Sequence, residues 1–172
     1  ASGQSQGQGH ETTFAQIVSE ATGLPMQRFV LKSGDGTRVA GNTAGGSRTM
    51  VGSGGVFSIA AREIVEKGMK LAAAALEASE SDIEFDQGQY RIKGTDRGIG
   101  LIELVDQNRN SSGPHPLDSR TSGASYTTYP NSCHICEVEI DPDTGVIEVQ
   151  SYCGVDDAGR IINHQVVEGQ MH

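Results

Sequence analysis

The chain has 172 residues, with 13 Lys+Arg against 22 Asp+Glu and a formal net charge of -9. That balance argues against a nucleic acid or an anionic membrane surface as partner. No apolar run is long enough to insert in a bilayer. A hydrophobic content of 35%, 5% aromatics, no Trp and 23 Gly describe a modest core, suited to packing against further structure.

The first element is a glycine-punctuated loop, Gln4-Ser5-Gln6-Gly7-Gln8-Gly9-His10, that opens onto an amphipathic segment. Phe14, Ile17, Val18, Ala21 and Leu24 fall at helical spacing, which predicts a helix from near His10 to Gly23. Glycines before a helix let backbone approach a ligand, and the first helical N–H groups are unpaired donors. That combination suits an anion. The glutamine amides, each donor and acceptor, suit the edge of a heterocycle. Taken alone, the loop reads equally as a flexible tail with a cap.

Residues 27–31 read next as a strand, followed by the turn Ser33-Gly34-Asp35-Gly36. A second loop, Asn42-Thr43-Ala44-Gly45-Gly46-Ser47-Arg48-Thr49, precedes a long helical pattern over residues 52–78. Val56, Ile59, Ala60, Ile64, Leu71 and Leu76 are expected to face the core, with Gly68 a weak point midway. Ile83 and Phe85, Gln87-Gly88, then Tyr90 and Ile92 predict a hairpin. A short helix is expected over residues 101–108, and a mobile, Ser/Gly/Pro-rich stretch over residues 110–126. Strands are expected over residues 127–141 and 146–155, around the turn Asp141-Pro142-Asp143-Thr144-Gly145. Cys136, Val138 and Ile140 alternate with Glu137 and Glu139, which predicts one buried and one wet face. A last helix starts at Asn163.

Cys133-His134-Ile135-Cys136 contains a Cys-x-x-Cys, with Cys153 and His164 further on. On a strand, positions three apart point to opposite faces, so the pair is poorly placed for zinc or a redox disulfide. Buried strand cysteines are the expected alternative. Asp141-Pro142-Asp143 echoes a calcium loop without the rest of that pattern and reads as a hairpin turn. Asn110-Ser111-Ser112 is formally a glycosylation sequon.

The motifs gain meaning from their order. Gln6-Gly7-Gln8-Gly9-His10-Glu11-Thr12 comes first, then Gly46-Ser47-Arg48-Thr49, then Thr128-Tyr129-Pro130-Asn131 with the Glu137 to Gly145 run. Val155-Asp156-Asp157, Gly159-Arg160-Ile161-Ile162-Asn163 and Glu168-Gly169-Gln170 close the series. The whole chain resembles the molybdopterin-binding large subunit of molybdenum hydroxylases: xanthine dehydrogenase, aldehyde oxidase and carbon monoxide dehydrogenase, the bacterial large chains above all.

The resemblance implies an α+β fragment of a longer subunit. It implies two small α/β subdomains with mixed sheets and helices packed on them: residues 1–110, a linker at 111–125, and the start of a second subdomain at 126–172. The family's oxo-facing glycine–phenylalanine loop, its substrate loop and its catalytic glutamate would lie outside this stretch, which leaves no catalytic residue and no metal ligand within it.

By motif match, Gln6, Gly7, Gln8, Gly9 and His10 would lie against the pterin and its phosphate, with Gln8 pairing to the pterin edge. His10 could instead cap the turn. Gly45, Gly46, Ser47 and Arg48 would wrap the same cofactor, though Arg48 also suits an ion pair. Gln170 would hydrogen-bond near the dithiolene, and Asp156 or Asp157 would bind the distal nucleotide or cap a turn. His164 stands where the family usually has proline.

The implied parent is a cytoplasmic oxidoreductase carrying molybdopterin in its cytosine dinucleotide form, with iron–sulfur and FAD groups on partner subunits. The implied partners of the fragment are the remainder of the large subunit and those iron–sulfur and flavin subunits. The fragment alone would be inactive and bind no cofactor. Two other readings stand beside this one: a non-catalytic nucleotide or pterin-binding module, and a subunit-contact module.

Overall fold

The computed structural model describes residues 1–41, 43–109, 113–124 and 126–172. Asn42 of the second loop and the Asn110-Ser111-Ser112 sequon lie outside the described residues. The architecture is α+β. Helix α1 spans His10–Thr22 and helix α2 spans Gly55–Leu76, entered through a π-helical turn at Met50–Gly54. Strands β1 (Ile83–Asp86), β2 (Gln89–Ile92) and β3 (Gly98–Gly100) form an antiparallel sheet, and α3 (Leu101–Gln107) follows. Strands β4 (Asn131–Ile140) and β5 (Ile147–Asp157) form a separate antiparallel ribbon, and α4 (His164–Met171) follows it. Both sheets are antiparallel, where mixed ones were expected.

Local chemistry sets the ends of α1. Gly9 precedes it at φ 71°, and Gly23 closes it at φ 66° with its N–H on the Ser19 carbonyl at 2.8 Å. Left-handed backbone at a helix end is favoured by glycine. Gly23 is also pressed on the β1–β2 turn: a Cβ there would sit 2.4 Å from the Gln87 Cα. That turn has positive φ at Gln87 and Gly88, the twist a two-residue hairpin needs.

The core lies between α2 and the three-stranded sheet. Ala72, Ala73, Ile83, Tyr90, Ile99, Leu101, Leu104 and Leu117 are its buried members. The buried stripe of α2 is made of small residues, Ala61, Gly68, Ala72 and Ala73, whereas Ile59, expected inside, is 45% exposed. Gly68 does not interrupt the helix. It makes room for Tyr90, whose hydroxyl donates to the Val65 carbonyl at 3.1 Å.

Other expectations needed correction. Residues 27–31 are not a strand: Met26–Arg28 form a 3₁₀ turn and no partner strand is present among the described residues. The stretch expected to be mobile packs along α2 in its described part. Leu117 is 4% exposed, Lys67 Nζ donates to the Asp118 carbonyl at 2.6 Å, and Ser119 Oγ donates to Glu63.

The β4–β5 ribbon departs most from expectation. Alternation is present, but no face is buried. Register places Val138 opposite Val149 and Ile140 opposite Ile147, and these four are 47–63% exposed. Cys133, Cys136 and Cys153 are exposed thiols, not buried ones. The physical reason is that nothing among the described residues covers the ribbon.

The ribbon's turn is well made. Asp141 Oδ1 accepts from the Asp143 and Thr144 N–H groups at 2.8 and 3.0 Å. Those backbone bonds, Thr144 first, hold the Asp141 carboxyl below the usual carboxylate range. The contribution is therefore present above the ordinary carboxylate pKa of about 3.9 and is lost as pH falls through the depressed value. An NMR titration of the Asp141 carboxyl carbon is expected to show a midpoint below that of a free aspartate. A normal midpoint would mean the turn bonds do not form in solution.

Candidate cofactor cradle

Three segments converge on one cavity. The first is the Gln4 to His10 loop. Gln6 N–H donates to Gln8 Oε1, which folds the loop on itself, and Gly9 then turns the chain into α1. Thr12 and Thr13 N–H groups bond back to the Gly9 carbonyl at 3.1 and 3.0 Å. The N–H groups ahead of them have no partner within the helix. A Cβ on Gly9 would meet Val166 Cγ2 at 3.2 Å, so the glycine also lets α4 close on the loop.

The second segment is the Thr43 to Thr49 loop. Gly46 at φ 63° and Ser47 at φ 51° are consecutive left-handed residues. The Gly46 carbonyl accepts from Thr128 N–H at 3.2 Å, and the Ser47 carbonyl accepts from Thr128 Oγ1. The loop is thereby tied to the strand region and feeds the π-helical turn ahead of α2.

The third segment runs from Ala158 to Val167. Asp157 Oδ1 accepts from Gly159 N–H at 2.9 Å, so Asp157 caps a turn. Asn163 caps α4 by accepting from Val166 N–H at 3.1 Å.

Together these segments enclose about 360 Å³, lined by Gln8, His10, Gly45, Ser47, Thr49, Arg160 and Asn163 among others. His10 is 4% exposed, its ring stacks on Phe14 at 5.1 Å, and its buried Nδ1 has no partner among the described residues. It does not cap the helix: no side-chain cap bond is made at that end. Helices α1 and α4 and the turn leading to α2 all begin at this cavity. Helix N-termini carry partial positive charge and free N–H donors, so the arrangement suits an anion. The unpartnered His10 nitrogen supplies a polar contact that a buried group needs and lacks here.

A second cavity of about 560 Å³ lies on the other side of the second loop, with Thr49 lining both. Its walls carry Arg38, Arg48 and Arg120 over an apolar floor of Val56, Phe57 and Ala60. Arg48 lines this cavity and not the first, and its buried Nε has no partner among the described residues.

The remaining sequence-derived residues fall as follows. Gln6, Gly7 and Gly46 are exposed and line neither cavity. Gln170, in the last turn of α4, is exposed and lines neither. Asp156 is held by His134, 3.3 Å from its Nε2, away from both cavities. Cys133 pairs across with Val155 and Cys136 with Tyr152, an odd spacing that puts the two thiols on opposite faces. Among the described residues, no group of three or more His, Cys, Asp or Glu is placed to hold a metal, and no helix is long and apolar enough to cross a membrane. Sequence reading missed Arg160. It stands within the Gly159 to Asn163 motif but was given no role there, and only the folded loop shows that it reaches the cavity.

A fold of this kind, with glycine loops leading into helix starts around a shared hollow, defines a ligand-cradling domain. Residues 1–172 match the family model of the molybdopterin cofactor-binding domain, and the chain belongs to that family. It is 34% identical to the carbon monoxide dehydrogenase large chain of Afipia carboxidovorans, over 98% of this chain and 22% of that one. It is likewise 34% identical to the nicotine 6-hydroxylase large subunit of Paenarthrobacter nicotinovorans, over 97% of this chain and 22% of that one. Among solved structures, the Cu,Mo-CO dehydrogenase in its carbon monoxide reduced state superposes with a TM-score of 0.75 at 35% identity, covering 98% of this chain and 22% of that one. Quinoline 2-oxidoreductase from Pseudomonas putida 86 superposes with a TM-score of 0.73 at 31% identity, over 98% and 22%. The chain thus spans 22% of the length of these relatives.

Proposed function

We propose that this chain forms part of the molybdopterin cradle of a molybdenum hydroxylase large subunit. The observation that carries the reading is the 360 Å³ cavity, where both glycine loops meet beside the buried, unpartnered His10 Nδ1. The residues fit such a group. Gln8 offers an amide to a pterin edge, Ser47 and Thr49 offer hydroxyls, and the helix starts offer N–H donors to a phosphate. Backbone donors let a chain of net charge -9 hold an anion.

When bound, the molybdenum centre supplies a two-electron oxidation that inserts oxygen from water into a small substrate. Substrates of the class are an aldehyde, an N-heterocycle or carbon monoxide. The role of these residues is to bind and orient the cofactor; the acid–base chemistry belongs to residues elsewhere in the complete subunit. Cytosine dinucleotide as the cofactor form, and iron–sulfur and flavin subunits as electron partners, are part of the same proposal, with the cytoplasm as its compartment. The bare ribbon favours a compatible contact role. A lone two-stranded ribbon is marginal in water, and exposed Val138, Ile140, Ile147 and Val149 suit a covering partner.

Metal analysis tests the reading. The complete subunit is expected to purify with near-stoichiometric molybdenum, and residues 1–172 alone with almost none, because other segments complete the cradle. Stoichiometric molybdenum on residues 1–172 alone would overturn the shared-cradle reading, and so would none on the complete subunit.

A further inference from the structure

Arg160 has neither an ion pair nor a hydrogen bond among the described residues, although acidic side chains outnumber basic ones in the chain. It lines the same cavity wall as the start of α4. The loop that carries it is fastened to α1 by one amide chain across 147 residues of sequence. Asn163 Nδ2 donates to Gln16 Oε1 at 2.8 Å. Gln16 Nε2 turns to the Ile162 carbonyl at 3.5 Å. Asn163 Oδ1 meanwhile accepts from Val166 N–H.

Donor and acceptor roles here are mutually fixed. Val166 N–H can only donate, so Asn163 must present oxygen to it and its NH₂ to Gln16. Gln16 must then present oxygen to Asn163 and its NH₂ to the loop carbonyl. Breaking any member removes this tie between the loop and α1. A guanidinium is a planar fork of donors matched to phosphate oxygens. The α1 start, with the buried His10 nitrogen that has no partner among the described residues, lines the same cavity.

We infer that Arg160 is a further binding residue for the phosphate group of the ligand in this cavity, and that Gln16 and Asn163 are the positioning pair that holds its loop in place. The inference rests on the proposed cradle reading. It deepens that reading by assigning the anionic end of the ligand to the part of the cavity lined by Arg160, Asn163 and the start of α1.

The test uses the complete subunit assembled with its partners. Cofactor content is read as molybdenum by metal analysis and as pterin by fluorescence after oxidative release. Arg160→Gln is expected to lower both about tenfold, and Arg160→Lys to recover part of the loss, since a point charge replaces the fork in part. Gln16→Met removes the tie but keeps a good helix former and the α4 cap. It is expected to lower content in the same direction with an unchanged melting temperature. In reconstitution of the cofactor-free wild type, inorganic phosphate should compete. The same phosphate should have little effect on Arg160→Gln. Full content in Arg160→Gln beside a loss in Gln8→Ala would overturn the Arg160 assignment and leave the cradle standing. Full content in both would remove the cradle reading itself.

Discussion

Gln8→Ala in the complete subunit is expected to lower molybdenum cofactor content well over tenfold. Gln8 lines the cavity, and its Oε1 is engaged by the Gln6 N–H, which leaves the amide NH₂ for the ligand. The internal bond therefore aims the side chain. A side-chain amide that satisfies a buried polar edge is worth about 1–3 kcal/mol, because its loss leaves that edge unpaired. About 1.4 kcal/mol is already a factor of ten. Gln4→Ala is the control. Gln4 is exposed and its side chain lies against Gly34, away from the cavity. It is expected to be near neutral, and the melting temperature of both variants to stay close to wild type. Molybdenum analysis of the two purified variants decides: equal losses, or none, would mean the loop serves only to start α1.

How much of this was legible in the sequence depends on the range of the interaction. Helix starts and stops are local, and Gly9, Gly23 and Asn163 mark theirs in the letters themselves. The Asp141 turn is equally local, held by bonds two and three residues along. The shared cavity was legible only in part, because glycine loops announce helix starts and not which starts converge. Arg160 was lost for that reason: its place depends on Asn163 reaching Gln16 across the fold. Strand β3 was lost because three residues, Gly98-Ile99-Gly100, carry no period.

Burial was the least legible feature. Alternation in β4 states which side chains share a face, and it does so correctly. It cannot state what covers that face, and among the described residues nothing does. The α2 core followed the expectation only in part. Ile64, Leu71 and Leu76 pack against the core as expected but stay partly exposed, Ile59 turns outward, and the buried positions facing the sheet go to the small residues Ala72 and Ala73, with Gly68 close under Tyr90.

That close approach gives the largest expected effect on stability. In an open helix, Gly→Ala is favourable by about 1 kcal/mol. At Gly68 the sign should reverse. A Cβ there would lie 1.9 Å from the Tyr90 hydroxyl oxygen and 2.5 Å from its ring carbon Cζ. Tyr90 is fully buried and cannot swing into solvent, and its hydroxyl is held by the Val65 carbonyl. Overpacking of this kind costs about 1–3 kcal/mol and occasionally more, and the displaced hydroxyl would add an unsatisfied buried donor. Gly68→Ala is therefore expected to lower unfolding free energy by about 3 kcal/mol. Tyr90→Phe alone should cost about 1 kcal/mol, the worth of a hydrogen bond. In the double variant the closest atom is gone but the ring remains, so the combined loss should be smaller than the sum of the two. Urea denaturation of the four proteins closes that cycle. Additive losses, or a stabilising Gly68→Ala, would show that α2 and the sheet do not pack this closely in solution.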